Sequence, residues 1–273
     1  LYWFNGQFYS AESLVLSVDE PGLLYGATIF TTLRVYQQSL EHPLTHWREH
    51  CERLQASLQA LDWSQPSWNR VIRGAKTLLG TYPILRITIF PDGREWIMGR
   101  NLPSDLTTRQ QQGIIAWLAK PDSSLAFQRS LPEHKTGNYL ACWLAAQRSH
   151  KQDAQEAILV DPMGHWLETS TGNLWGWAEG QWWTPPLAAG ILPGVARMQL
   201  INGLKRQNRR VGEISWSEDW VKNLEAIAYT NSIVEVVPIR AVLDGEQVIP
   251  YSPTHAGLEQ LRTHFETGAP QVF

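Results

Sequence analysis

Sulfur, basic runs and long apolar stretches are all scarce in this chain, and each scarcity excludes something. Among 273 residues there are only two cysteines, Cys51 and Cys142, both inside helical patterns. Two thiols make no disulfide framework, so a reducing compartment is expected, with both as inert buried thiols. No apolar run reaches the length of about 20 residues that spans a bilayer, and the first residues lack a signal-peptide pattern. The expected compartment is therefore the cytoplasm, with no membrane partner. Net charge is −3 and no segment is rich in lysine or arginine, which excludes the footprint of a nucleic-acid binder. Acidic ligands must then be caught by individual arginines rather than by a general field. A Walker-type loop, a dinucleotide glycine fingerprint and a Gly-x-Ser-x-Gly elbow are also absent. His46 and His50 share one helical face, but no third ligand is in view, so no metal site is expected.

What is present describes an ordinary globular chain with many large rings. Hydrophobic residues make up 43% and charged residues 18%, a balance that buries a core rather than staying disordered. The fourteen tryptophans read as core and interface packing, where large rings supply most apolar area. Aromatic runs on both sides of Asn5-Gly6 predict a β-hairpin with a type I′ turn. A strand is predicted over Tyr25–Tyr36 after a Pro21-Gly22 turn, helices over His46–Leu61 and Trp68–Leu79, and a strand over Pro83–Phe90. The polar stretch 99–112 is the candidate linker, giving a small domain at 1–110 and a larger one at 111–273. Beyond it, strands are predicted over 113–119, 157–160, 164–169, 174–178, 182–183, 225–229 and 234–241, with helices over 138–149, 195–206, 221–224 and 253–265. Strands and helices alternating in both halves predict two α+β domains with mostly antiparallel sheet.

Three segments carry chemistry. Lys135 lies in Glu133-His134-Lys135-Thr136-Gly137-Asn138-Tyr139, where Gly137 permits close backbone approach and an apolar stretch follows. Partial desolvation lowers a lysine's pKa and makes it a better nucleophile and base; the plain alternative is a solvated surface charge. Glu168 stands beside Trp166 and Leu167, and a carboxylate among apolar neighbours needs a partner. A protonated pyridine nitrogen is one such partner, and a nearby arginine is another. Leu192-Pro193-Gly194-Val195 opens a helix, whose free N–H groups attract anions. Thr230-Asn231-Ser232 adds donors to the same anion or simply makes a turn, and Arg53 is its positive partner or a surface ion pair. An amine, a carboxylate and an anion-binding helix start are the parts of a pyridoxal phosphate (PLP) site.

Taken in order, these segments resemble the fold-type IV PLP enzymes: branched-chain aminotransferases, D-amino-acid aminotransferases and 4-amino-4-deoxychorismate lyases. The resemblance runs through Phe4-Asn5-Gly6, Leu24-Tyr25-Gly26, Glu49 to Leu54, Lys135 to Asn138, Glu168 to Leu174, Leu192 to Arg197 and Glu235 to Pro238. It implies a homodimeric two-domain α+β enzyme acting on a small amino substrate. It implies that Lys135 is the Schiff-base lysine and proton carrier and that Glu168 pairs with the pyridine nitrogen. It implies that Arg53, the backbone at Val195 and Ala196, and Asn231 with Ser232 hold the phosphate. Leu192 lies against the ring, and Tyr139 reaches the phenolic oxygen.

The three-residue spacing from Lys135 to Asn138 and the Phe30-Thr31-Thr32-Leu33-Arg34 strand look most like the lyases. By that likeness the reaction converts 4-amino-4-deoxychorismate to 4-aminobenzoate and pyruvate, a folate precursor step. Arg86 or Arg94 binds a substrate carboxylate, and Thr31 or Thr32 assists proton transfer. The alternatives are a class IV aminotransferase for D- or branched-chain amino acids and a non-catalytic PLP-binding protein. Two departures from the family pattern stand out: Gly26-Ala27-Thr28 replaces a usual Gly-Asp-Gly, and Ala196 replaces a common threonine.

Overall fold

Asn5 and Gly6 both take positive φ, 43° and 87°, and turn strand β1 (Tyr2–Phe4) back onto β2 (Gln7–Tyr9). Two positive values are what a type I′ hairpin requires, and an Asn-Gly pair adopts them at little cost. The computed structural model describes residues 1–120 and 127–266. Two units emerge from it. The first holds Leu1–Pro103 together with His134–Asn138; the second holds Ser104–Glu133 and the chain from Tyr139 onward.

In the first unit the hairpin joins β3 (Ile29–Arg34), β4 (Ile84–Ile89) and β5 (Glu95–Arg100) in one antiparallel sheet, ordered β2-β1-β5-β4-β3. Side chains alternate between its faces. Ile29, Leu33, Leu85, Ile87 and Ile97 line one face and pack on Leu54 and Leu58 of α2 (Trp47–Ala60) and Val71, Ala75 and Leu78 of α3 (Trp68–Leu78). Each such side chain contributes roughly 1.5–3 kcal/mol on burial. The register sets Thr32 opposite Arg86 and Arg86 opposite Met98, so these share the other face with Phe30. Glu95 lies on the apolar face with no exposed surface. It accepts from Trp3 Nε1 at 3.0 Å and Gly6 N at 2.9 Å, and pairs with Arg70 at 3.1 Å.

Two expectations need correction here. The strand predicted from Tyr25 begins at Ile29, because α1 (Pro21–Leu24) forms a helical turn, with Pro21 in its first turn and the Glu20 side chain accepting from Gly22 N. The polar stretch 99–112 is mostly regular structure. β5 runs through Arg100 and Leu106–Gln112 is a helix, anchored by buried Leu106 and an Asp105–Arg109 pair. Polarity alone imitates a loop when a helix buries a single residue.

The second unit follows that helix with strands β6 (Ile114–Ala119), β7 (Glu156–Val160), β8 (Trp166–Thr169), β9 (Asn173–Ala178), β10 (Gln181–Thr184), β11 (Val211–Glu213), β12 (Ala226–Asn231), β13 (Glu235–Asp244) and β14 (Gln247–Pro250). Its sheet runs β11-β10-β9-β12-β13-β6-β7-β8, with β14 on β13. Pairing of Glu168 with Asn173 joins β8 to β9 and so closes β9, β12, β13, β6, β7 and β8 into a ring. Pairings are antiparallel except β6 with β13 and β7, and β10 with β11. Helices Val195–Arg206 and Leu258–Glu266 cover Trp175, Trp182 and Ala228 with Leu200, Leu204, Leu258 and Leu261. The helix predicted at 221–224 sits one turn earlier, at Glu218–Val221, because the Ser217 hydroxyl accepts from Trp220 N. The result is a mixed α+β protein with mostly antiparallel sheets and flanking helices. Among the described residues no helix is long and apolar enough to cross a membrane, and no group of acidic, His or Cys side chains could hold a metal.

Candidate active site

Lys135 is held by its backbone within the first unit. Phe30 N–H donates to the Lys135 carbonyl at 2.8 Å, Ile29 bridges to Thr136, and Gly137 N–H donates to the Thr28 carbonyl at 2.6 Å. Only glycine fits at 137, since a Cβ there would collide with Thr28 Oγ1. Thr28 therefore holds the strand that presents the lysine. Lys135 Nζ lies 4.9 Å from the Phe30 ring centroid, and the Arg86 guanidinium lies 3.6 Å from the same centroid. Thr32 is the direct cross-strand neighbour of Arg86. The structure thus brings Lys135, Arg86 and Thr32 around Phe30.

Thr31 points the other way. It is fully buried on the α2 side, with Oγ1 2.6 Å from His50 Nδ1 and accepting from Arg53 Nη2 at 2.8 Å. Burial, with Arg53, His46 and Lys135 nearby, holds His50 well below its ordinary pKa. Arg94 is on a different arrangement again, paired with Glu20 at 2.6 Å and Asp92 at 2.5 Å.

In the second unit Glu168 sits at the closure of the strand ring, 5% exposed. Arg129 Nε lies 2.9 Å from its Oε1, while Leu192 N donates to Oε2 at 3.1 Å and Asn173 Nδ2 at 3.4 Å. Asn173 also donates to the Leu192 carbonyl at 2.9 Å, tying the carboxylate to the loop before the helix at Val195. Burial pushes the Tyr139 phenol up, with Cys142, Arg129 and Glu168 as its electrostatic neighbours. The helix at Val195 is capped by Gly194 and has no side-chain cap; a Cβ on Gly194 would collide with Asn173 Oδ1. Val195 and Ala196, its first residues, are buried at 3% and 4% exposure.

Asn231 holds its own loop. Its Oδ1 accepts from Ile233 N at 2.8 Å and Val234 N at 3.0 Å, and its Nδ2 donates to the Thr171 carbonyl at 3.3 Å. What this loop offers an anion is the Ser232 hydroxyl and backbone N–H groups. Beneath it, Glu156 is buried and accepts from the Ser170 and Thr171 hydroxyls, and burial raises its pKa. Sequence reading passed over Arg129 and Glu156. Arg129 has no local pattern to mark it, while Glu156 had one: a carboxylate opening an otherwise apolar strand.

Residues 28–242 match the family described as amino-transferase class IV. The chain is 26% identical over 270 residues to the branched-chain-amino-acid aminotransferase of Escherichia coli K12, covering 90% of this chain and 85% of that one. It is 23% identical over 266 residues to the aminodeoxychorismate lyase of Vibrio harveyi, covering 92% and 94%. The PLP-bound form of a hypothetical aminotransferase from Mycobacterium tuberculosis superposes with TM-score 0.81 at 16% identity, covering 98% of both chains, a likeness of fold. The chain belongs to the class IV aminotransferase family. It is accordingly an enzyme of the fold-type IV group, and its cofactor is pyridoxal phosphate.

Proposed function

We propose that this enzyme is a lyase that converts 4-amino-4-deoxychorismate to 4-aminobenzoate and pyruvate. One observation carries the reading. The face of β3, β4 and β5 that bears Phe30 and Thr32 also carries Arg34, Arg86 and Arg100, and no Asp or Glu. Three guanidinium groups on one face suit a substrate with two carboxylates, and this substrate has two. Arg86, beside Thr32 and sharing a ring with Lys135, is the arginine assigned to bind one of them. Arg94, already paired with Glu20 and Asp92, is not.

The side chains fit pyridoxal phosphate by their donor chemistry. Glu168 is a buried carboxylate ion-paired with Arg129 and accepting from Leu192 N and Asn173 Nδ2, a negatively polarised acceptor of the kind a ring N–H requires. When bound, the cofactor supplies an electron sink for the pair left as a proton leaves the amine-bearing carbon. Lys135 is assigned to hold the cofactor and to move that proton at Nζ. Glu168 would pair with the ring nitrogen, and Leu192, whose N–H binds Glu168, would lie against the ring. Tyr139, its pKa raised by burial, stays protonated and donates to the cofactor's phenolic oxygen. Arg53, the N–H groups of Val195 and Ala196, and the Asn231–Ser232 loop hold the phosphate. Thr32, on the substrate face, is the hydroxyl placed to assist proton transfer.

The enzyme works as a homodimer in this reading, a second copy covering Leu140 and Trp143, which are 60% and 57% exposed. Transamination is the second reading, favoured by the 26% identity to the branched-chain enzyme. The test is to give the purified holoenzyme aminodeoxychorismate, and separately branched-chain 2-oxo acids with glutamate. The expected outcome is fluorescent 4-aminobenzoate with matching pyruvate, lost in Lys135→Ala and at raised KM in Arg86→Ala. Amino transfer to the oxo acids with no 4-aminobenzoate would overturn the lyase.

A further inference from the structure

We infer that Thr31 and His50 form a buried hydrogen-bond relay that positions Arg53, which makes Thr31 a positioning residue rather than a proton carrier. The inference rests on the reading above that Arg53 holds the cofactor's phosphate.

Thr31 is a polar exception on an apolar strand face. Alternation puts Thr31 in phase with Ile29 and Leu33, on the face that packs against Leu54 and Leu58 of α2. A hydroxyl among those side chains is costly unless it is hydrogen-bonded on site. It is bonded twice. Guanidinium nitrogen can only donate, so at the 2.8 Å contact Arg53 Nη2 donates and Thr31 Oγ1 accepts. The 2.6 Å contact to His50 Nδ1 is a second hydrogen bond at the same oxygen, which has one donor and two acceptor sites. The imidazole makes this contact as donor or acceptor according to its tautomer, and it does so as a neutral ring.

The groups facing His50 agree. Arg53, His46 and Lys135 are all cationic or able to become so, and each disfavours a proton on the ring, as does burial. The three groups therefore form one connected chain, guanidinium to hydroxyl to imidazole, in which only the first bond has a fixed donor. His50 and Arg53 are three residues apart on α2, so both ends of the relay stand on one helix face and its middle on the strand. A long arginine side chain loses rotamer freedom when it must bind an anion. A relay that orders it beforehand removes that loss from cofactor binding. Thr32, one residue on, faces Arg86 instead, so the two adjacent threonines do different work.

The experiment compares PLP with pyridoxal, which lacks the phosphate, in absorbance titrations of the cofactor-free full-length protein. Thr31→Val keeps shape and removes the hydroxyl. It is expected to weaken PLP by about 10-fold or more while leaving pyridoxal unchanged. Thr31→Ser is expected to restore the difference, and the ³¹P resonance of bound PLP should move in Val and return in Ser. Should Thr31→Val not fold, His50→Leu applies the same test from the far end, with the same selective loss expected. A PLP-to-pyridoxal ratio equal to wild type in both variants overturns the inference. So does a kcat loss in Thr31→Val with unchanged PLP affinity, which would return Thr31 to proton transfer. Arg53→Met separates the underlying reading: if it does not weaken PLP relative to pyridoxal, Arg53 does not hold the phosphate, and the relay falls with it.

Discussion

Replacing Glu168 by alanine tests whether the centre of the second unit is an electrostatic knot. The carboxylate and the Arg129 side chain are 7% and 5% exposed and 2.9 Å apart. Breaking a buried pair from one side typically costs about 3–5 kcal/mol, because the surviving charge has no compensation. The donors Leu192 N–H and Asn173 Nδ2–H also lose their shared acceptor, and orphaned buried donors cost about 1–3 kcal/mol each. Asn173 keeps its bond to the Leu192 carbonyl, so its loss falls at the low end. A total of about 5–9 kcal/mol is expected before relaxation. Urea unfolding followed by tryptophan emission, without added cofactor, reads this directly, since Trp166 lies on the same strand as Glu168. Arg129→Met in the Glu168→Ala background removes the stranded cation and should recover about 2 kcal/mol or more. Strict additivity of the two changes would refute the coupling. A Glu168→Ala loss below about 1 kcal/mol would refute the burial argument itself.

Glu95→Ala should destabilise the first unit by about 2–5 kcal/mol, chiefly because Trp3 Nε1 and Gly6 N lose their acceptor, the Arg70 side chain being partly solvated. Thermal melts of the full chain check it, and a shift no larger than that of an exposed-site control would contradict it. His50 predicts a pH signature. Its folded pKa lies well below the ordinary 6.5, so the unfolded chain takes up a proton that the folded chain refuses. Stability is then fully present above pH 6.5 and falls as pH drops below it, until the folded group also protonates. Melts of wild type and His50→Asn between pH 8 and about 5 should show a smaller fall in the variant; parallel curves would rule the histidine out.

Periodicity made much of this molecule legible before its structure. Leu54 and Leu58 mark α2, and the helix from Val195 starts where Pro193-Gly194 places it, because these elements bury a regular stripe. The hairpin at Asn5-Gly6 is written in two residues that tolerate positive φ. What escaped was non-periodic or non-local. Strand β5 has buried Glu95 at its start, a residue whose partners Trp3 and Arg70 no local pattern reveals. Arg129 meets Glu168 only through the fold. The placement of Thr31 and Thr32 was within reach, however: Thr31 is in phase with Ile29 and Leu33, and that alternation already put the two hydroxyls on opposite faces.

The pentapeptide His134–Asn138 belongs to the first unit although the chain on both sides of it belongs to the second. Recombination between relatives is constrained by that excursion. A chimera spliced at Pro103 would inherit Phe30 and Arg86 from one parent and Lys135 from the other. Gly137 and Thr28, which fit only as a pair, would be mismatched with them. Exchange of the amino-terminal half therefore has to carry a second, distant cassette, and gene fragments that ignore it would yield folded proteins with an ill-seated amine.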